Sequence, residues 1–156
     1  MNSFQLTGLP HEQFEPLFNL TDAQLAGMDA VRVIAQQNPG CPCRVSLRDA
    51  EVGEELLLLS YNHQPGRSPY RASGPIYVRR GATRRVLEPG EVPDYVTHRL
   101  ISVRAYVATH MMLSAEVCQG TDVVAEIEHQ FADDRVAYIH LHNAKPGCFS
   151  CLVNRV

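Results

Sequence analysis

Val136-Ala-Tyr-Ile-His-Leu-His-Asn143 leads through Ala144-Lys-Pro-Gly147 to Cys148-Phe-Ser-Cys151. Alternation in the first segment predicts a strand with Tyr138, His140 and His142 on one face. Ala137, Ile139 and Leu141 then form the other face, which is apolar enough for a core. The short connection to Phe149–Val153 predicts an antiparallel neighbour. Two imidazoles, an amide and two thiols fall within these sixteen residues, so a chemical centre is sought here first.

Working outward, Ile101, Val103, Ala105 and Val107 alternate with Ser102, Arg104 and Tyr106, which is a strand pattern. Met111 to Cys118 follows as another, after a tight connection at 108–110. Earlier strands are expected at Phe4–Leu9, Val31–Ala35 and Pro75–Arg79. Thr83–Leu87 is expected to return as the hairpin partner of the last. Glu55 to Tyr61 is a short bounded apolar run and reads as a buried central strand. Cys43, Val45 and Leu47 alternate with Arg44, Ser46 and Arg48, predicting a half-buried strand with a cationic face. Helices are expected near Phe14–Phe18, at 22–28 behind a Thr21/Gln24 capping box, near 93–100, and at 123–131. Residues 62–73, with Pro65-Gly66 and Pro69, read as the longest loop. The irregular order of strands and helices, with short connections, gives an α+β fold. We expect a single domain over 1–156, with a largely antiparallel (mixed) sheet and a few short helices on one side.

Composition narrows the partners. The chain is 45% hydrophobic and 20% charged, which is globular. Its net charge of -3 gives no basis for nucleic-acid or anionic-membrane binding. The longest apolar run, Leu56–Leu59, is far too short to span a bilayer. The N-terminus carries no export signal, so a cytoplasmic location and five reduced cysteines are expected. Lys145 is the only lysine among fourteen basic residues.

Several stretches together resemble a known family. They are Gly40-Cys-Pro-Cys-Arg44-Val-Ser-Leu, Asp49-Ala-Glu-Val-Gly-Glu-Glu-Leu-Leu-Leu-Leu, Ser68-Pro-Tyr-Arg-Ala-Ser-Gly-Pro-Ile-Tyr-Val-Arg79 and Ala137-Tyr-Ile-His-Leu-His-Asn-Ala-Lys-Pro-Gly-Cys148. With Leu6-Thr-Gly-Leu-Pro10, they look like the bacterial domain-of-unknown-function family numbered 1203. The resemblance covers nearly the whole chain. It implies a stand-alone bacterial domain and brings no activity or catalytic residue with it. Cys41 and Cys151 depart from the pattern.

Four constellations could carry chemistry. Cys148, His142 and Asn143 are the parts of a thiol nucleophile with a base and an orienting amide. Arg44, Tyr70, Arg71 and Ser73 could bind an anion, with the 69–74 loop folding over the end of the 136–143 strand. His140 and His142 share a strand face and could ligate a metal with His110, Glu116 or Cys148 as the third ligand. The ordinary alternative for that face is a solvated or hydrogen-bonded sheet surface. Cys41/Cys43 and Cys148/Cys151 are poorly spaced for structural zinc, because positions 148 and 151 point to opposite faces of an extended strand. The arginines at 79–85 read as a solvated hairpin. No Gly-x-Gly-x-x-Gly, Walker, Gly-x-Ser-x-Gly or His-Glu-x-x-His motif is present, and no cofactor is assigned. The expected function is binding of a small anionic ligand, with a thiol- or histidine-dependent enzyme as its extension. The alternative is an interaction module, such as a homodimer built on a strand edge or on the Tyr138 face.

Overall fold

The strand pair predicted at the end of the chain is the middle of a sheet. In the computed structural model, which describes residues 3–156, β9 (Tyr138–Asn143) pairs antiparallel with β10 (Phe149–Arg155), His142 opposite Phe149 and His140 opposite Leu152. β9 also pairs antiparallel with β7 (Leu100–Tyr106), which pairs with β8 (Met112–Gln119). β1 (Phe4–Thr7) closes the other side, giving the order β1-β10-β9-β7-β8. The apolar face of β9 packs as expected. Ile139 and Leu141 join Ile101, Val103 and Val153 in a core covered by Val123, Ile127 and Phe131 of α3 (Val123–Phe131).

A second sheet has the order β2-β5-β6-β3-β4. It contains β2 (Ala30–Ile34), β3 (Pro42–Cys43), β4 (Arg48–Asp49), β5 (Glu55–Gln64) and β6 (Ala72–Arg79). Only the β3–β6 pairing is parallel. The unbroken apolar run has a physical cause. β5 is an interior strand, one place from the centre between β2 and β6, and buries leucines on both faces, Leu57 and Leu59 against Phe14, Phe18 and Leu25, and Leu56 against Ala35, Cys41 and Ala50. The α+β class is therefore present, but its strands divide between two sheets. The helices divide likewise: α1 (Asp22–Ala26), started by the Thr21/Gln24 capping box, packs on β2, the short α2 (Asp94–Thr97) meets β4 and β7, and α3 packs on β7 and β8.

Three local expectations fail for identifiable reasons. Residues 43–48 do not form one strand: Cys43 ends β3, Arg48 begins β4, and 44–47 turn between them. Val45 enters the core of the second sheet and Leu47 that of the first, and a flat strand cannot serve both. The chain instead turns, with Leu47 at φ 53° and its N–H donating to the Cys43 carbonyl at 2.9 Å. Arg44 is thereby buried between the sheets rather than displayed outward. Thr83–Leu87 is no partner of β6, whose neighbours are β5 and β3. It bonds to the N-terminal strand and the 44–47 turn, through Leu87 N–H to Leu6 and Arg85 N–H to Val45. The 62–73 loop is shorter than expected. Gln64 pairs with Ala72 after a bulge that contains Asn62 and His63.

Candidate functional site: a buried arginine, a thiol and a histidine face

Cys148 lies just beyond the Gly147 turn, where φ is 80° and glycine is favoured. Its sulfur accepts from Arg44 Nη2 at 3.0 Å and, more loosely, from Asn143 Nδ2 at 3.8 Å. Arg44 is 1% exposed. Its Nε donates to the Phe149 carbonyl at 2.7 Å and its Nη1 to the Pro42 carbonyl at 2.6 Å. Among the described residues, no ion pair joins it to a carboxylate. A guanidinium out of water normally has an acidic partner, because an uncompensated buried charge costs several kcal/mol. Here two backbone dipoles and one sulfur take that place.

The pair opens onto a pocket of about 470 Å³ between the sheets. Pro42, Arg44 and Tyr77 line it from one sheet, and Arg99, Asn143, Lys145 and Cys148 from the other. No carboxylate is among its lining residues. Arg99 is held in place by a bidentate pair with Asp49 at 2.6 and 2.9 Å, and that hydrogen bond raises its pKa further. Asn143 Oδ1 is buried without a partner. Cys151, two residues past Phe149, is enclosed in the core, and burial pushes its thiol up to about 12.

Of the residues singled out in the sequence, Arg44, Asn143 and Cys148 converge. His142 does not join them. Period two turns it to the other face of β9, where its Nδ1 lies 3.1 Å from the Gly147 carbonyl and no hydrogen bond links it to Cys148. Tyr70, Arg71 and Ser73 are also elsewhere, since none lines the pocket. The shortened loop is drawn to the far end of β9, where Ser68 Oγ donates to the His110 carbonyl at 2.8 Å and Tyr70 packs edge-on against Tyr106. Sequence spacing did not single out Arg99 or Lys145, because the pocket that gives them meaning is tertiary.

The Tyr138-His140-His142 face is not a solvated surface. It turns inward against the end of β5. The Tyr138 hydroxyl accepts from Gln64 at 2.9 Å and lies 2.7 Å from His110 Nδ1, so Tyr138 is committed within the molecule. His140 and His142 are 4% and 1% exposed. Burial lowers their pKa values to about 3 and about 4, so both rings are neutral at pH 7. His63, in the β5 bulge, stacks on Phe149 and meets His142 edge-on. Desolvation lowers its pKa also. His63 lay in the segment taken for a loop, and no spacing rule links it to position 140. Among the described residues, the one group of metal-competent side chains is His63, His140 and His142.

Among the described residues, no helix is long and apolar enough to cross a membrane. No curated protein and no solved structure matches the chain. A family model described as "Protein of unknown function (DUF1203)" matches residues 40–155. That span holds the Arg44 turn, both β5 and β6, the Lys145 loop and Cys148, and the chain belongs to this family.

Proposed function

We propose that the chain binds a small anionic molecule in the pocket beside Cys148. One observation carries this reading: Arg44, a buried cation with no carboxylate partner, sits behind a concave wall that contains no acid. A bound carboxylate or phosphate supplies the missing negative charge. Lys145 is exposed at the rim and forms no ion pair among the described residues, so it can meet the ligand first. Arg99 contributes less, because Asp49 already offsets its charge. Asn143 Oδ1 offers an acceptor for a ligand N–H or O–H. The ligand class is therefore a small acid that also carries a donor.

Cys148 is the nucleophile that faces such a ligand. The Arg44 guanidinium donates to its sulfur at 3.0 Å and fixes it at the pocket wall. His98 also lines the pocket, but among the described residues no histidine hydrogen-bonds to Cys148, so binding and thiol contact are supported further than turnover.

The test is a thermal-shift series at constant ionic strength, with inorganic phosphate and small mono- and dicarboxylates as probes. At least one should raise Tm, slow alkylation of Cys148, and lose both effects in Lys145→Ala, a surface change that leaves the core intact. A flat series with unprotected Cys148 would remove the proposal.

A further inference from the structure

On the opposite face of β9 lies a second centre. We propose that His63, His140 and His142 form a three-imidazole site for a divalent transition metal, with zinc(II) as the reference ion. One ring nitrogen from each lies within 4.8 Å of the others. The ligands come from both sheets, two from β9 and one from the bulge of β5, where the irregular pairing between Tyr61 and Gln64 brings His63 to the histidine face.

Hydrogen bonding points the same way. His63 Nδ1, His140 Nδ1 and His142 Nε2 are buried with no partner in the protein. Three orphaned nitrogens in one buried patch are costly, and a metal resolves such a cost. The tautomer of His142 follows from its surroundings. A carbonyl can only accept, so Nδ1 carries the proton toward Gly147. The neutral ring then leaves Nε2 as a bare lone pair. A histidine whose second nitrogen is tied to a backbone carbonyl is the usual form of a metal ligand.

The donor set narrows the ion. Three imidazoles without a carboxylate favour zinc, cobalt, nickel or copper over magnesium or calcium. Tetrahedral ligands at 2.0–2.1 Å place nitrogens roughly 3.3 Å apart, so the rings must close by rotation from their present spacing. Phe149 against His63 and Tyr106 against His140 wall the site with aromatic rings. Arg104 stands opposite His140 in the β7–β9 register. Its charge disfavours a bare dication there and favours an anion, such as hydroxide, in the fourth position. The site is independent of the Cys148 pocket, and either can fail alone.

Protein purified without an affinity tag and stripped by chelator should bind one equivalent of zinc, measured by competition with a chromophoric chelator. Cobalt(II) should give a visible spectrum without thiolate charge transfer. His63→Gln, at the least buried ligand, should weaken zinc binding at least tenfold, whereas Cys148→Ser should leave it unchanged. Should His63→Gln unfold, diethylpyrocarbonate labelling of the parent decides, because zinc must protect His63. Sub-stoichiometric zinc, binding lost with Cys148, or a His63 that zinc leaves unprotected would overturn the site.

Discussion

Arg44 and Cys148 stand 104 residues apart in sequence and 3.0 Å apart in space, guanidinium nitrogen to sulfur. The same arginine donates to the Phe149 carbonyl of β10 and the Pro42 carbonyl of β3. It therefore ties the two sheets together while charging the pocket wall. Arg44→Ala leaves two carbonyls unsatisfied in a dry site and opens a cavity. The expected loss is about 3–5 kcal/mol, read from urea midpoints at pH 7.5. A loss below about 1 kcal/mol would mean that water or a shifted neighbour replaces the side chain easily.

The buried histidines set a pH dependence for the metal-free protein. Their folded pKa values of about 3 and about 4 lie below the ordinary 6.5, so the unfolded chain takes up protons first as pH falls. Stability is complete above about pH 6.5 and declines as pH drops toward 4, by up to about 3 kcal/mol per pH unit for the pair. Chelator-treated protein should show this slope in urea melts between pH 6 and 4.5. His140→Leu should reduce it by about half. An unchanged slope would assign the acid sensitivity to other groups.

Gly8 tests the turn that carries Arg44. A Cβ at this position would overlap the Val45 carbonyl oxygen, which is backbone and cannot swing aside. That carbonyl also accepts from Arg85, and Leu9 N–H donates to the Arg44 carbonyl. Gly8→Ala should cost about 2 kcal/mol or more, as overpacking does, and should expose Cys43 and Cys148 to faster alkylation. Gly53→Ala is the control, because its side chain would meet nothing, although its φ of 90° costs something by itself. Equal cysteine reactivity in the Gly8→Ala variant and the parent would separate this turn from the site.

Much of the scaffold was legible because period two is a local signal. β7, β9 and β10, with their inward leucines, isoleucines and valines, follow directly from it, while the α3 stripe and the Thr21/Gln24 cap follow from the equally local 3.6-residue spacing and cap pair. The site was legible only in pieces. Asn143 and Cys148 meet across a short turn, and that proximity could be read from their spacing. Arg44 was singled out, but its alternation with Val45 and Leu47 suggested a strand, because nothing local says that those two apolar residues serve different cores. His63 and Arg99 gain their roles from contacts across the sheets, which one sequence does not encode as a pattern. The Tyr70–Arg71 loop misled for the opposite reason: its Pro and Gly content is real, but it serves the turn at the His110 end.

The central claim is that the pocket at Cys148 is cationic and built for small anions. Competing alkylation by iodoacetate and iodoacetamide, read residue by residue by mass spectrometry, tests it most directly. The two reagents differ mainly in charge, and Cys118 is a partly exposed internal reference. The iodoacetate-to-iodoacetamide rate ratio should be at least about tenfold higher at Cys148 than at Cys118, a difference of ~1.4 kcal/mol, and should fall with added salt and in Lys145→Ala. A ratio at Cys148 equal to or below that at Cys118 would contradict the account.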